Sequence, residues 1–350
     1  MTPTIAEQNL NEFWAKLRAE NPHLRIRDAA KNLNVSEAEL LATGLGETVV
    51  LLEPKCAEIL QELHKLGRIM ALTRNEEIVH ERKGEYKNVE IMNGHGQMAL
   101  AVNEDIDLRI FLSNWHFAFA VTSENPRGTM RSLQFFDIDG TAVHKVFLTA
   151  QSNLEEYEKI VEKYRHQNQN ETLKFKTKPS KPVEKPDSEI DVEGFRKAWA
   201  NLKDTHDFFP LMRKFGVARE QALRVADREM AYAVDAKSFR FVLKEAAKEK
   251  LPIMIFVGNA GIIQIHTGLV ENVLDARGWF NVMDEKFNLH IDQEKIRSAW
   301  VVKKPTTDGM VTSLELFNNS GENVALFFGK RKPGIPEMQE WRNLVARINQ

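Results

Sequence analysis

A histidine stands close to aromatic residues in the segment "DTHDFFPLMRKFG", residues 204–216. His206 is followed by Phe208, Phe209 and Pro210, and proline is tolerated in a first helical turn, so the imidazole is expected at a helix entrance. An imidazole there could ligate a metal, and the phenylalanine rings could line a flat apolar group that carries this metal. The alternative is a capping turn whose aromatic side chains pack into a core.

A second candidate is the arginine in the apolar segment "IDLRIF", residues 106–111. Burying Arg109 without a partner would be unfavourable, so it either pairs with Asp105 or Asp107 or faces a ligand. Its guanidinium donates hydrogen bonds but does not release a proton near neutral pH, because the pKa of arginine lies above about 12. The residue type therefore predicts a hydrogen-bond donor and not a general acid.

Common enzyme motifs are absent from the sequence. There is no G-x-x-x-x-G-K-[ST], no G-x-G-x-x-G after a strand, no G-x-S-x-G and no H-E-x-x-H. The formal charge of -2 gives no net positive field that would favour nucleic acid or an anionic membrane. The segment "RIRDAAKNLNVSEAELLA" (25–42) resembles a helix–turn–helix, but packing helices are the favoured interpretation and DNA binding the alternative.

The chain has one cysteine, Cys56, which excludes internal disulfides and cysteine-ligated metal clusters. No apolar stretch approaches the roughly 18 residues that a membrane helix needs, and no signal peptide is apparent. The sequence therefore predicts a cytoplasmic protein without membrane insertion.

The chain repeats itself. "SLQFFDIDG" (132–140) and "SLELFNNSG" (313–321) share the pattern S-L-x-x-F-x-x-x-G at an offset of 313 − 132 = 181. "AAKNLNVSEAELLA" (29–42) parallels "LMRKFGVAREQALR" (211–224) at 211 − 29 = 182. This spacing predicts a tandem duplication. His206 has no counterpart, because Leu24 stands at the matching position.

The length of 350 residues suits two domains. We predict an N-terminal repeat at 1–165, a linker rich in Lys, Pro, Asn and Gln at 166–191, and a C-terminal repeat at 192–350. Each repeat begins with helical segments, of which "SEAELLAT" carries the capping-box pattern at Ser36 and Glu39. Alternating segments such as "RIMALT" and "QMALAV" follow and predict antiparallel strands. The predicted fold is α+β, with two similar halves, each an antiparallel sheet with flanking helices, packed against each other.

Four segments resemble the bacterial HemS/ChuS-type haem-utilisation proteins, also called hemin transport or hemin-degrading factors. They are "HDFFPLMRKFG", "RIMALTRNEEIVHERKGEY", "DIDLRIF" and "FFGKRKPGIPEM". The resemblance covers essentially the whole chain, duplication included. It implies non-covalently bound haem (iron protoporphyrin IX) in a cleft between the two halves.

The resemblance also implies the site residues. The axial histidine falls on His206 and the distal arginine on Arg109. The cations that bind the haem propionates fall on Lys304 and Arg331, and an apolar wall falls on Met254, Phe256 and Phe328. A second haem-linked histidine, reported for some members, falls on His80. Leu326 and Phe328 depart from the polar or phenolic side chains expected in some relatives.

The implied function is haem uptake and iron acquisition, with haem degraded oxidatively to release iron. The alternatives are a non-catalytic haem chaperone that hands haem to a separate haem oxygenase, and a haem-responsive DNA-binding regulator. The implied partners are an inner-membrane haem importer, a haem acceptor protein and an electron donor. The electron donor is implied because the sequence has no flavin or nicotinamide motif of its own.

Overall fold

The computed structural model describes residues 5–92, 97–126, 128–178, 183–332 and 334–348. The chain divides into two compact units. Unit 1 comprises Met1–Thr73, Arg82–Pro179 and Asn259–Ile263, and unit 2 comprises Arg74–Glu81, Ser180–Gly258 and Gln264–Gln350.

The helices and strands follow one another in the same order in both halves of the chain. In the first half they are α1 (Ile5–Glu20), α2 (Ile26–Asn32), α3 (Glu37–Ala42), β1 (Val49–Leu52), α4 (Cys56–Glu62), β2 (Gly67–Arg74), β3 (Ile78–Glu85), β4 (Val89–Met92), β5 (Met98–Val102), β6 (Asp107–Phe111), β7 (Phe117–Asn125), β8 (Gly128–Phe136), β9 (Ala142–Ser152) and α5 (Leu154–Tyr164). In the second half they are α6 (Val192–Ala200), α7 (Phe208–Phe215), α8 (Arg219–Val225), β10 (Ala231–Val234), α9 (Ser238–Glu249), β11 (Ile253–Asn259), β12 (Ile262–Gly268), β13 (Val273–Ala276), β14 (Trp279–Met283), β15 (Phe287–Ile291), β16 (Ile296–Thr306), β17 (Gly309–Asn318), β18 (Asn323–Gly329) and α10 (Gln339–Ala346).

The strand order repeats as well. Unit 1 has the antiparallel order β1-β7-β8-β9-β2 and a second antiparallel set β4-β5-β6. Unit 2 has β10-β16-β17-β18-β11 and β13-β14-β15. Equivalent strands also keep their register, since Val49 pairs with Val121 and Ala231 with Val302. The predicted α+β fold with a tandem duplication and antiparallel sheets is confirmed.

Each unit has its own apolar core beneath helices. In unit 1, Ile59 of α4 and Ile160 of α5 cluster with Leu133 of β8. In unit 2, Phe239 of α9 and Trp341 of α10 belong to the corresponding cluster. The side chains of a strand alternate between the two faces of its sheet, so every second strand residue reaches these cores and the others form the opposite face.

Local signals set the start of α3 and the end of α7. Ser36 Oγ accepts a hydrogen bond from the backbone N–H of Glu39 at 3.2 Å, and the Glu39 carboxylate accepts one from the Ser36 N–H at 2.7 Å. The predicted capping box at the start of α3 is therefore confirmed. Helix α7 ends at Phe215 and is capped by Gly216, whose φ of 64° is the left-handed conformation that favours glycine.

Unit 1 contains a buried polar trio. The Tyr86 hydroxyl lies 2.5 Å from Nε2 of His144, and Nδ1 of His144 lies 2.9 Å from Oγ1 of Thr73. Burial lowers the pKa of His144 to about 3 and raises the pKa of Tyr86. At the matching positions, with offsets of 257 − 73 = 184, 270 − 86 = 184 and 325 − 144 = 181, unit 2 has buried apolar residues: Val257, Val270 and Ala325.

Cys56 begins α4 and is 4% exposed. Burial raises the pKa of its thiol to about 12. Within the described ranges, none of the helices combines the length and the apolar composition needed to cross a bilayer.

The described parts of the segment 166–191 pack against the units. In unit 1, the Phe175 ring lies 5.0 Å from the Phe117 ring, and the Lys176 N–H donates to the carbonyl of Ile138. In unit 2, Gln221 donates to the carbonyl of Lys185 at 2.7 Å. One of the boundaries between the units falls inside this segment.

Candidate ligand site around His206

His206 lies in a single 3₁₀ turn, Thr205–Asp207, directly before α7. Asp204 caps this turn, and its Oδ1 accepts a hydrogen bond from the His206 backbone N–H at 2.8 Å. The same oxygen lies 2.6 Å from Nδ1 of the imidazole. The His206 side chain is 90% exposed. The ring is thus held at one nitrogen while most of its surface remains open.

The contact with Asp204 determines which ring nitrogen is available. An ionised carboxylate only accepts hydrogen bonds, so the neutral imidazole carries its proton on Nδ1. The backbone N–H of His206 is the main cause that lowers the pKa of Asp204, which keeps this carboxylate ionised. The lone pair of Nε2 is then available to a metal, the arrangement usual for histidine ligands whose other nitrogen binds a carboxylate.

The turn that carries His206 is attached to the end of β16. The carbonyl of Lys203 accepts a hydrogen bond from the Thr307 N–H at 3.0 Å. Trp199 of α6 donates from Nε1 to the carbonyl of Lys303 at 2.9 Å. These two bonds fix the segment before α7 on the sheet.

Phe208, the first residue of α7 and two residues after His206, is buried. Its ring lies 4.5 Å from the Trp199 ring. The Lys304 ammonium lies 4.7 Å from the centre of the Phe208 ring, and the Arg219 guanidinium 5.6 Å from it. Two cations near one ring are a favourable arrangement, since the face of an aromatic ring attracts positive charge.

Lys304 and Arg219 converge on a buried carboxylate, and we call Lys304, Arg219, Ser313 and Glu315 the Glu315 cluster. Glu315 accepts from Lys304 at 2.8 Å, from Arg219 at 2.8 and 2.9 Å, and from Ser313 at 3.1 Å. Burial opposes its ionisation, but Arg219 and Lys304 outweigh burial and hold the pKa of Glu315 at about 2. Burial lowers the pKa of Lys304, and Glu315 opposes this shift. The cluster therefore contains two cations and one carboxylate.

An apolar face lies next to this cluster on the same sheet. Met254 pairs with Phe328, and Phe256 pairs with Leu326, on the antiparallel strands β11 and β18. The rings of Phe256 and Phe328 are 5.2 Å apart in an edge-to-face arrangement. All four side chains are partly exposed, and Leu326 pairs on its other side with Glu315. The sequence-predicted wall residues thus share one face.

Arg331 lies near the turn between β16 and β17. Its guanidinium is 3.9 Å from the carboxylate of Asp308, and its side chain is 19% exposed. The Gly334 N–H donates to the same carboxylate at 2.9 Å. Thr307 of the same turn donates to Lys203, just before the 3₁₀ turn that carries His206. Arg331 and the His206 turn therefore both contact the turn between β16 and β17.

Arg109 lies in unit 1, on β6. It forms an ion pair with Asp107 and donates to the carbonyl of Leu108 at 3.3 Å. Asp105, the other candidate partner, instead accepts from Arg82 at 3.1 Å. Burial raises the pKa of Asp107, and Arg109 opposes this shift. The Arg109 side chain is 31% exposed, which is compatible with a contact to a ligand.

His80 has 0% exposure on β3. Its ring lies 5.0 Å from the ring of Phe287, which stacks on His266 at 3.8 Å. A ligand could reach His80 only after these rings separate, so the structure does not favour a second haem at this position. That role stays a prediction.

Unit 2 assembles several of the predicted site residues, but the Glu315 cluster adds residues that the sequence reasoning missed. Glu315 and Arg219 were not predicted, although a glutamate inside the apolar run "SLELF" was a usable signal. Lys304 is 5% exposed and already bound to Glu315, so its predicted contact with a propionate is not evident from the geometry. Among the residues that the structure describes, no three His, Cys, Asp or Glu side chains form a group that could hold a metal ion.

Known proteins are similar over the full length of the chain. The profile of the family described as "Haemin-degrading HemS.ChuX domain" matches residues 34–164 and 216–348. The hemin transport protein HemS of Yersinia enterocolitica is 36% identical over 342 residues, which cover 98% of each chain.

Two solved structures share the whole fold. Holo-PhuS, a heme-binding protein from Pseudomonas aeruginosa, has a TM-score of 0.95 at 47% identity, covering 98% of this chain and 99% of that chain. ChuS, an E. coli heme oxygenase, has a TM-score of 0.87 at 32% identity, covering 98% of this chain and 100% of that chain.

The two profile matches begin 216 − 34 = 182 residues apart, which agrees with the repeat found in the sequence. They confirm the resemblance predicted from the four segments. The chain belongs to the haemin-degrading HemS/ChuX family.

Proposed function

We propose that the protein binds haem, with His206 as the protein ligand to its iron. The observation that carries this proposal is the hydrogen bond from His206 Nδ1 to Asp204, at 2.6 Å, on a side chain that is 90% exposed. This bond leaves Nε2 free to coordinate a metal. The heme-binding protein PhuS, at 47% identity, and the hemin transport protein HemS, at 36%, support haem as the ligand.

The remaining residues suit the parts of haem. The half-exposed face formed by Met254, Phe256, Leu326 and Phe328 offers an apolar surface for the porphyrin. Arg331 is a partly exposed cation whose own partner lies at 3.9 Å, so we assign it to a propionate carboxylate. We retain Arg109 as the residue that donates a hydrogen bond on the distal side, on the strength of the family resemblance.

We propose iron acquisition as the purpose of this binding, with oxidative opening of the haem ring as the reaction. Bound haem would supply the iron that activates oxygen, and the chain would supply the ligand to this iron, the hydrogen-bond donor and an apolar surface for the porphyrin. The relative ChuS, an E. coli heme oxygenase, supports a reaction of this kind. The alternative is carriage of intact haem to an acceptor protein.

Haem titration tests the binding proposal. We expect the wild type to give a saturable absorption change with one haem per His206, and His206→Ala to bind more weakly with an altered spectrum. His64→Ala is the matched control, because His64 is also exposed and lies outside the proposed site. A His206→Ala variant with the wild-type affinity and spectrum would disprove the assignment.

The reaction is tested on the loaded protein with a reductant under air. Ring opening predicts a steady loss of the haem absorption band and an open-chain product. Intact haem throughout, with transfer to an acceptor such as apomyoglobin, would support carriage instead. Arg109→Ala should change the distal ligand without removing the coordination by His206.

A further inference from the structure

The Glu315 cluster connects to His206 through a single ring. Lys304 and Arg219 both lie against Phe208, at 4.7 and 5.6 Å from the ring centre, and Phe208 is two residues beyond His206. Glu315 holds both cations in place and has 0% exposure. The first turn of α7, which follows His206 directly, therefore packs against both charges.

The duplication provides an internal comparison. An offset of 182 places Ile26 at the position of Phe208 and Leu24 at that of His206. The shared register of the strands, with an offset of 181, places Gln134 at the position of Glu315 and Ser123 at that of Lys304. The ring with two nearby cations therefore occurs in the unit that has the histidine, and the matching positions in the other unit are occupied by different residue types. This association indicates that the cluster serves the histidine rather than the shared scaffold.

The geometry gives Lys304 little freedom to serve a ligand directly. Its side chain is 5% exposed, and its ammonium already donates to Glu315 at 2.8 Å. A ligand carboxylate would have to compete with this buried ion pair, and separating such a pair is strongly unfavourable. Arg331, at 19% exposure, is the more accessible cation.

We infer that Lys304 and Glu315 are positioning residues that orient His206 through Phe208, in place of the propionate contact that the resemblance assigns to Lys304. This inference rests on the proposed binding of haem by His206. Through Phe208 the cluster fixes where Nε2 points, so that the metal of the ligand meets the imidazole in one orientation.

Haem and its dimethyl ester separate the two roles of Lys304, because the ester lacks free carboxylates. Lys304→Met removes the ammonium and keeps the aliphatic stem. If Lys304 orients His206, this variant should bind both haem and the ester about tenfold more weakly than the wild type, with the same loss of affinity for the two ligands. A tenfold loss is the low end of the range for residues that orient a metal ligand. Electron paramagnetic resonance of the ferric complexes should show a smaller fraction with histidine coordination.

Lys145→Met is the matched control, because Lys145 is also a largely buried lysine, pairs with Glu37 and lies 5.9 Å from an aromatic ring, that of Phe136. It should bind both ligands as the wild type does. A loss seen with haem and absent with the ester would show that Lys304 contacts a carboxylate and would overturn the inference, as would wild-type binding of both ligands by Lys304→Met.

Phe208→Leu provides the same test without disturbing a charge, and it decides the question if Lys304→Met does not fold. It should weaken binding of both ligands equally, and unchanged binding of both would overturn the inference. Failure of the proposed function is recognised separately, since His206→Ala would then bind haem as tightly as the wild type.

Discussion

Replacing the buried polar trio of unit 1 by apolar residues should make the protein less sensitive to acid. The trio is Thr73, Tyr86 and His144, and the variant is Thr73→Val/Tyr86→Phe/His144→Leu, which imitates the apolar residues at the matching positions of unit 2. All three side chains change together, so that no buried hydroxyl or ring nitrogen loses its partner.

The magnitude follows from the pKa of His144, which burial lowers from 6.5 to about 3. Between these values the unfolded chain binds a proton that the folded protein does not, so the stability contributed above pH 6.5 is lost as the pH falls towards 3. The full difference corresponds to about 5 kcal/mol, of which roughly 2 kcal/mol is lost between pH 7 and pH 5.

Urea unfolding at pH 7 and pH 5, followed by circular dichroism, measures this loss. The free energy of unfolding of the wild type should fall between the two pH values by roughly 2 kcal/mol more than that of the triple variant. His64→Leu, which removes an exposed histidine, should retain the pH dependence of the wild type. Equal losses in the wild type and the triple variant would refute the reasoning, because His144 would then not be the group that titrates.

Three further predictions concern unit 2. The pKa of Glu315 is about 2 in the folded protein against an ordinary 4.5, so the stability that its carboxylate contributes is lost progressively as the pH falls below 5. In Glu315→Gln, the free energy of unfolding should therefore fall by roughly 2 kcal/mol less between pH 5 and pH 3 than in the wild type. Urea unfolding at the two pH values measures this difference, and an equal fall in both proteins would contradict it. Gly329→Ala would place a Cβ 2.6 Å from the Cβ of Trp341, so thermal unfolding should show a loss of about 2 kcal/mol, and an unaltered melting temperature would exclude the clash. Asp204→Asn keeps an oxygen for the cap but removes the charge beside His206, so the midpoint potential of bound haem should rise, whereas a constant potential would argue against this contact.

The repeat could be predicted because its signals are local. The spacing of 181 to 182 residues, the alternation of apolar residues and the Ser36–Glu39 capping box each depend on positions within one element. The structure confirms them with two identical strand orders. His206 could be singled out for a related reason, since the polar and aromatic residues around it are neighbours in the chain.

Partners that lie far apart in the chain could not be predicted. Arg219 binds Glu315 across 96 positions, and Tyr86 binds His144 across 58. Nothing in the local composition specifies which buried charge meets which, because the fold decides this. The sequence could therefore single out His206, but not the Glu315 cluster.

Two assignments of a neighbouring carboxylate also needed the structure: Asp204 rather than Asp207 as the partner of His206, and Asp107 rather than Asp105 as the partner of Arg109. Asp204 binds the imidazole because its extended backbone, with φ −143° and ψ 145°, caps the 3₁₀ turn and brings its carboxylate back to His206. Asp107 pairs with Arg109 because residues two apart on a strand share a face, which the sequence alone could suggest only once β6 was known to begin at Asp107.

The state of the single thiol makes the protein easy to label at a chosen point. Cys56 is the sole cysteine of the chain, is buried, and has a pKa raised to about 12, so very little reactive thiolate is present at neutral pH. A cysteine introduced at an exposed position, such as Lys214→Cys in the last turn of α7, would react with a maleimide first. A fluorophore or spin label can thus be attached to the histidine-bearing helix without removing the native cysteine.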